Sequence, residues 1–163
     1  MSIRLYITGG TIDKVYNQTN GELEFNQTHF PEMLSRARIE VEIKTEILLF
    51  KDSLDMDDND RKLILKSCVE CEEERILITH GTDTMCETAK LLGLNLKNKV
   101  VVLFGSMVPY TVNNSDAFFN LGCALGSLNL LDPGVYVAMN GRTLPWNDVV
   151  KNRSLGVFQS PDS

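Results

Sequence analysis

Short apolar runs alternate along the whole chain with longer segments of helical periodicity. Four runs have the length of a buried strand and lie at 3–8, Arg75–Thr79, Val100–Phe104 and Gly134–Met139. A further segment, 39–50, alternates apolar and polar residues with the period of two that is typical of a half-buried strand. Strands separated by helices are the pattern of a parallel sheet that is covered on both faces. We therefore predict an α/β fold, a three-layer Rossmann-like domain with a mostly parallel sheet flanked by helices.

Helical periodicity predicts helices at 30–36, at 55–73, from Thr84 onward and at 115–128. The carboxylates of Asp55-x-Asp57-Asp58 suit a first helical turn, because the positive end of the helix dipole favours negative charge. Thr84 and Glu87 have the spacing of a capping box. The segment 9–28 is polar and aperiodic, which predicts a long loop. Loops of that length are uncommon unless they are functional or mobile.

The 163 residues fit one domain, 1–163, and the 43% hydrophobic content is sufficient for a core. Lys and Arg number 16 against 22 Asp and Glu, which gives a net charge of −6. Such a charge repels phosphate backbones and anionic lipids, so we expect no nucleic acid and no membrane as a partner. No apolar run reaches the roughly 18 residues of a membrane helix, and the first residues do not resemble a signal peptide. We expect a cytoplasmic protein.

The cysteines are consistent with a reducing compartment. They are Cys68, Cys71, Cys86 and Cys123. A domain of this size and hydrophobicity needs no disulfide. Cys68-x-x-Cys71 has the spacing of a redox or zinc pair, but the chain has no second pair and only His29 and His80 to complete a site. Because 63–69 has helical periodicity with Cys68 on its apolar side, we expect a buried thiol there, and no metal or other cofactor.

Glycines and hydroxyl-bearing residues follow three of the predicted strands. The segments are Thr8-Gly9-Gly10-Thr11, Thr79-His80-Gly81-Thr82-Asp83-Thr84 and Gly105-Ser106-Met107-Val108-Pro109. Ligands of an open parallel sheet bind outside the carboxyl ends of its strands, and glycine allows close approach of the backbone. Each segment alone is more typical of a turn or a helix N-cap. Together they predict a site with a hydroxyl nucleophile, and the glycine motifs of nucleotide sites do not occur.

Two of these segments resemble the signatures of the bacterial-type L-asparaginases and related amidohydrolases. Thr8-Gly9-Gly10-Thr11-Ile12 is similar to the first signature, and His80-Gly81-Thr82-Asp83-Thr84 is similar to the second. The resemblance continues through 52–59, 105–109, 115–121 and 148–151, so it extends over nearly the whole chain. It implies that 1–163 form the N-terminal catalytic domain of this family, and we expect the family's C-terminal domain to be absent.

The resemblance implies hydrolysis of the side-chain amide of L-asparagine, or of a related small amide, to aspartate and ammonia. In these implied roles Thr11 is the nucleophile that forms an acyl-enzyme. Thr82, Asp83 and Lys151 form the group that takes its proton, with neutral Lys151 as the base, because a threonine hydroxyl is a weak nucleophile without one. Tyr16 orients the nucleophile. The implied substrate-binding residues are Gly10, Ser53, Leu54, Gly81, Thr82 and Asp83.

The same residues also have plain structural interpretations. Without the resemblance, Lys151 would be a solvated surface lysine and Tyr16 a loop aromatic that packs on the domain. His80 is expected to fix its loop by hydrogen bonds. Backbone N–H groups of the Gly10-Thr11 turn and around Thr82 are expected as donors to an oxyanion.

Leu54 departs from the family, which commonly has a glutamine there to contact the amino-acid end of the substrate. This departure favours an alternative function: a non-catalytic sensor that binds asparagine or aspartate, or a partner-binding domain with a degenerate site. Without a second domain the site would be open on one side. By analogy with the family, we expect a homodimer or homotetramer to complete it.

Overall fold

The computed structural model describes residues 2–162 and contains ten strands and four α-helices within them. In chain order the elements are β1 (Ile3–Gly9), β2 (Lys14–Tyr16), β3 (Leu23–Phe25), α1 (Phe30–Arg36), β4 (Ile43–Lys51), α2 (Asp58–Glu70), β5 (Arg75–Thr79), α3 (Met85–Asn95), β6 (Val100–Phe104), α4 (Ala117–Leu128), β7 (Gly134–Met139), β8 (Arg142–Pro145), β9 (Val150–Asn152) and β10 (Val157–Gln159).

Six strands form the central sheet in the order β4-β1-β5-β6-β7-β8. All neighbours in it are parallel except β7 and β8, which form an antiparallel edge. The other strands form two small hairpins, β2–β3 and β9–β10. The predicted mostly parallel α/β sheet is confirmed.

The core lies in two layers, one on each face of the sheet, because successive side chains of a strand point to opposite faces. In β1, Leu5 and Ile7 pack on the side of α1 and α4, whereas Tyr6 packs on the side of α2 and α3. Phe104 at the end of β6 is fully buried, and burial of such a side chain stabilises the fold by about 1.5–3 kcal/mol. The three-layer arrangement is also confirmed.

The predicted long loop at 9–28 is wrong. A 3-10 helix, Thr11–Asp13, begins two residues after the end of β1, and the β2–β3 hairpin follows it as far as Phe25. Each hairpin strand has three residues, too few for a period-two pattern to stand out from the polar turn between them. The carboxylate of Asp13 is buried and accepts hydrogen bonds from the Thr28 hydroxyl and the His29 N–H, which ties the segment to the start of α1.

Two predicted helix starts are also wrong in detail. A 3-10 helix, Ser53–Asp55, precedes α2, and the capping box belongs to Asp57 and Asp60. The proposed box at the start of α3 does not form, because the Thr84 hydroxyl donates to Ser53 O at 2.9 Å instead. The Glu87 carboxylate accepts from Arg61 at 3.3 Å.

The cysteines within residues 2–162 are free thiols. Cys68 is fully buried on the inner face of α2, as predicted, and desolvation raises the pKa of its thiol to about 12. No helix within the described residues is long and apolar enough to cross a membrane.

Candidate active site

The three glycine- and hydroxyl-bearing segments meet at one edge of the sheet. β1, β5 and β6 are adjacent and parallel, with Ile7 opposite Thr79 and Thr79 opposite Phe104. Their carboxyl ends therefore lie side by side, as the sequence predicts. The end of β1 is joined to that of β5 by the Thr8 hydroxyl, which donates to Thr79 O at 2.5 Å.

The turn after β1 requires both of its glycines. Gly9 and Gly10 have φ of 93° and 79°, a backbone conformation that residues other than glycine rarely adopt. A Cβ on Gly9 would lie 2.7 Å from Lys51 N, and one on Gly10 would lie 2.5 Å from Gly81 N. The paired glycines thus let the turn that carries Thr11 lie directly against the loop after β5.

Ser53 forms the third side of this junction. It is buried, and a Cβ on Gly81 would lie 2.6 Å from the Ser53 Oγ. The same oxygen accepts a hydrogen bond from the Thr84 N–H at 3.3 Å. Gly10, Gly81 and Ser53 are therefore packed into one small region, and three of the predicted binding residues are brought together.

Lys151 is brought to Thr82 and Asp83 across 69 residues of sequence. Its Nζ donates to Thr82 Oγ1 at 2.8 Å and to Asp83 Oδ1 at 2.9 Å. Only 11% of the side chain is exposed. The interpretation of Lys151 as a solvated surface lysine is therefore wrong.

The β9–β10 hairpin explains this placement. Lys151 in β9 lies directly opposite Phe158 in β10. Opposite residues of an antiparallel pair project from the same face of the hairpin. Phe158 is 1% exposed and belongs to the core layer on the side of α2 and α3. The buried ring therefore anchors the face of the hairpin from which Lys151 projects.

Arg153 is a residue of the site that the sequence analysis missed. Its guanidinium donates to Asp83 Oδ1 at 3.0 Å and to Asp83 O at 3.1 Å. The sequence carries no motif for this contact, because its partners are 70 residues apart. Arg153 lies in the turn that follows β9, where no local pattern of the sequence marks it as a partner of Asp83.

Asp52 and Lys14 form an ion pair beside this group, with Lys14 Nζ 2.5 Å from Asp52 Oδ2. Desolvation acts to raise the pKa of the Asp52 carboxyl, but hydrogen bonds from Lys14 and the Leu54 N–H outweigh it and hold the pKa below its usual value. The carboxylate is thus ionised and paired. It links the start of β2 to the short helix that carries Ser53.

His80 is fully buried and fixes the loop after β5, as predicted. Its Nδ1 lies 2.8 Å from Gly81 O, so Nδ1 carries the proton and donates. Nε2 then accepts from the Thr88 hydroxyl at 2.7 Å. Desolvation lowers the pKa of the imidazole to about 4, which keeps it neutral at pH 7.

Thr11 and Tyr16 are predicted catalytic residues that take no part in the contact of Lys151 with Thr82 and Asp83. Thr11 is half-buried, and within residues 2–162 no hydrogen bond joins its side chain to Thr82 or Lys151. Tyr16 is 58% exposed on the β2–β3 hairpin, where its hydroxyl lies toward the turn at Gly21. Their catalytic roles stay predictions.

Leu54 and the Gly10 N–H are placed less favourably for substrate binding than Ser53 and Gly81. Leu54 is largely exposed beside Ser53. The Gly10 N–H already donates to Lys51 O at 2.9 Å, so the expectation that it serves an oxyanion is wrong for Gly10. The N–H groups of Thr11 and around Thr82 stay predicted oxyanion donors. Within residues 2–162, no cluster of three or more His, Cys, Asp or Glu side chains could hold a metal ion.

The chain is similar to known proteins over nearly its whole length. Residues 2–163 match the family model described as asparaginase, N-terminal. The L-asparaginase of Thermococcus kodakarensis is 34% identical over 167 residues, which cover 98% of this chain and 51% of that protein. A probable periplasmic L-asparaginase of Haemophilus influenzae is 34% identical over 177 residues, which cover 99% and 50%.

Solved structures agree with the sequence comparison. The thermostable L-asparaginase from Thermococcus kodakarensis superposes with a TM-score of 0.86 at 35% identity, covering 98% of this chain and 51% of that one. A probable cytoplasmic L-asparaginase from Campylobacter jejuni gives 0.83 at 34% identity, with 98% and 53% covered. The chain spans about half the length of these relatives. On its sequence and its fold, the chain belongs to the asparaginase family and corresponds to the N-terminal domain of that family.

Proposed function

We propose that the chain is an amidohydrolase that cleaves the side-chain amide of L-asparagine, or of a related small amide, to aspartate and ammonia. The observation that carries the proposal is the contact of Lys151 Nζ with Thr82 Oγ1 at 2.8 Å and Asp83 Oδ1 at 2.9 Å. A lysine held against a hydroxyl and a carboxylate has the geometry of a base that activates a nucleophile.

In the proposed first step the Thr11 oxygen attacks the amide carbonyl carbon. Neutral Lys151 accepts the hydroxyl proton by way of Thr82, whose own hydroxyl passes a proton on. The electron pair of the carbonyl π bond moves onto the carbonyl oxygen. When this pair forms the C=O bond again, the C–N bond breaks and the amide nitrogen leaves. That nitrogen takes the proton back from the Lys151 ammonium by way of Thr82 and leaves as ammonia, so a C–O bond to Thr11 replaces the C–N bond. The Gly10–Gly81 contact supports this step, because it holds the Thr11 turn against the Thr82 loop.

In the proposed second step a water molecule attacks the ester carbonyl and gives up a proton to the lysine group. The C–O bond to Thr11 breaks, the threonine oxygen takes a proton and aspartate leaves. Substrate is held by Gly10, Gly81, Ser53 and Asp83, with Ser53 at the α-carboxylate and Asp83 at the α-amino group. Tyr16 reaches Thr11 only when the β2–β3 hairpin closes over the site.

The test is ammonia release from L-asparagine, L-glutamine and a panel of N-substituted amides. Wild type is expected to release ammonia, and Thr11→Ala, Thr82→Ala and Lys151→Met each lose at least about 100-fold in kcat. Thr45→Ala, at an exposed position in β4, is the matched control and keeps the wild-type rate. No ammonia from wild-type protein on any of these amides would remove the proposal.

A binding domain without turnover is the second candidate, and it is favoured by Leu54. This exposed leucine stands beside the buried Ser53, where a polar side chain would be expected to contact the amino-acid end of a substrate. Titration calorimetry separates the two candidates. Heat of binding with asparagine or aspartate, together with no release of ammonia, would support the second candidate over the first.

Self-association as a homodimer or homotetramer and a cytoplasmic location belong to the same proposal. Light scattering coupled to size-exclusion chromatography measures the first. Localisation of a tagged full chain measures the second.

A further inference from the structure

Asp83 receives two cations on one oxygen atom. Lys151 Nζ lies 2.9 Å from Asp83 Oδ1, and Arg153 Nη1 lies 3.0 Å from the same atom. Arg153 also donates through Nη2 to the backbone carbonyl of Asp83 at 3.1 Å. A planar guanidinium with two contacts restricts both the side chain and the main chain of its partner.

The two cations differ in their exposure. The Lys151 side chain is 11% exposed and makes its second contact with Thr82, whereas the Arg153 side chain is 65% exposed. Both hydrogen bonds of the Arg153 guanidinium go to Asp83, and within residues 2–162 none joins it to Thr11 or Thr82. Its effect on them must pass through Asp83 and Lys151.

An isolated lysine–carboxylate pair would hold its proton firmly, because an opposite charge favours the charged amine. Arg153 weakens that hold in two ways. It takes part of the negative charge of Asp83, and it places a like charge beside the ammonium. Resting on the proposed function, we propose that Arg153 is a positioning residue that fixes Asp83 and makes Lys151 a more readily deprotonated base.

The other groups around Lys151 leave this role to Arg153. Asp52, which caps the 3-10 helix before α2, interacts with Lys151 through its charge, but this charge is paired with Lys14 at 2.5 Å. Cys86 of α3 lies against the Lys151 backbone, and burial raises the pKa of its thiol and keeps it neutral at pH 7. The carboxylate in contact with the Lys151 amine is therefore that of Asp83, whose oxygen Arg153 shares, whereas the charge of Asp52 is compensated by Lys14.

The test measures the protonation of Lys151 directly, without turnover. Trace acetylation with acetic anhydride across a pH series, read by mass spectrometry of the peptide that contains Lys151, gives the pH midpoint of its amine reactivity. Arg153→Gln is expected to raise this midpoint by roughly 0.5 to 1 pH unit relative to wild type. Arg153→Lys keeps a cation beside Asp83 and stays closer to the wild-type midpoint.

Arg142→Gln is the matched control, since it removes the same charge from an exposed arginine of β8. An unchanged midpoint in Arg153→Gln would overturn the proposal, and so would an equal shift in Arg142→Gln. A purely structural role for Arg153 would lower the melting temperature of both Arg153 variants without moving the midpoint, and that result also overturns it.

The proposed function is tested separately by ammonia release at each pH. In Arg153→Gln the rising limb of kcat should move upward by the same pH interval, so that activity at pH 7 falls about threefold to tenfold and recovers at higher pH. If no variant releases ammonia, the proposed function fails, while the acetylation midpoints still decide the role of Arg153.

Discussion

The backbone of Gly10 lies directly against the backbone of Gly81, so that a Cβ on Gly10 would come within 2.5 Å of Gly81 N. This contact joins the turn that carries Thr11 to the loop that carries Thr82 and Asp83. Gly10 also has φ 79° and ψ 177°, a conformation that is nearly restricted to glycine and costs other residues about 1–3 kcal/mol.

Gly10→Ala is therefore expected to lower the free energy of unfolding by at least about 2 kcal/mol, since backbone strain and a clash with main-chain atoms add. Urea denaturation followed by circular dichroism measures it. Gly122→Ala, in α4 with nothing within 4 Å of the added Cβ, should instead stabilise by up to about 1 kcal/mol. Equal effects of the two substitutions would contradict the close approach at Gly10.

Burial of neutral His80 predicts a pH dependence of stability. Its pKa is about 4 in the folded chain against an ordinary value of 6.5, so the unfolded chain binds more protons between these values. The stabilisation is fully present above pH 6.5 and is lost as the pH falls toward 4, by at most about 1.4 kcal/mol per pH unit.

Unfolding free energies of wild type and His80→Gln between pH 5 and 7 test this expectation. The variant is expected to lose most of the slope, whatever its absolute stability. His29→Gln removes the other histidine of the sequence and should keep the slope. A slope that disappears in His29→Gln and persists in His80→Gln would be the wrong result.

The ion pairs of Glu73 predict a second pH dependence of stability, at lower pH. It is buried between Lys44 Nζ at 2.9 Å and Arg4 Nη2 at 3.0 Å. The hydrogen bond from Lys44, together with Arg4, lowers the pKa of the carboxyl to about 2 against an ordinary 4.5. Its contribution is present above pH 4.5 and is lost as the pH falls through about 2.

At pH 7, Glu73→Gln should cost about 1–3 kcal/mol of unfolding free energy, because two partly exposed cations lose a buried partner. Glu70→Gln breaks only an exposed pair with Lys66 and should change stability by less than about 0.5 kcal/mol. Chemical denaturation measures both variants, and similar losses would argue against the central role of Glu73.

Phe158 predicts a coupling between the core and the site. Its ring is buried directly opposite Lys151, and Phe158→Ala should cost about 3–5 kcal/mol through lost burial and a cavity. It should also release the hairpin and make Lys151 more reactive to acetylation. Leu155→Ala, at an exposed position of the same hairpin, should change neither quantity.

The sequence predicts the fold and the strand ends well, because buried strands such as Val100–Phe104 are marked by their composition alone. Only the resemblance to the asparaginase family predicts that Lys151 contacts Thr82 and Asp83. Nothing in the local sequence 148–154 distinguishes Lys151 from a surface lysine. The capping box that the sequence predicts at Thr84 does not form, because the Thr84 hydroxyl donates to the backbone carbonyl of Ser53, 31 residues away.

Contacts of high sequence separation account for the other omissions. Arg153 meets Asp83 across 70 residues, and Glu73 meets Arg4 across 69. Nothing in the neighbouring sequence distinguishes Arg4 or Arg153 from an ordinary surface arginine. Such pairs depend on the strand order of the sheet and on the packing of the last hairpin. Neither can be inferred from a short stretch of sequence around one of the two residues.

The distance along the chain between Thr82 and Lys151 has a consequence for synthesis. A ribosome that adds about 5–20 residues per second needs roughly 3 to 14 s to make the 69 residues between them. Through that interval the nascent chain carries both threonine turns and Asp83 without their lysine. The machinery proposed for amide hydrolysis is therefore assembled late, after the strands that support it have been made.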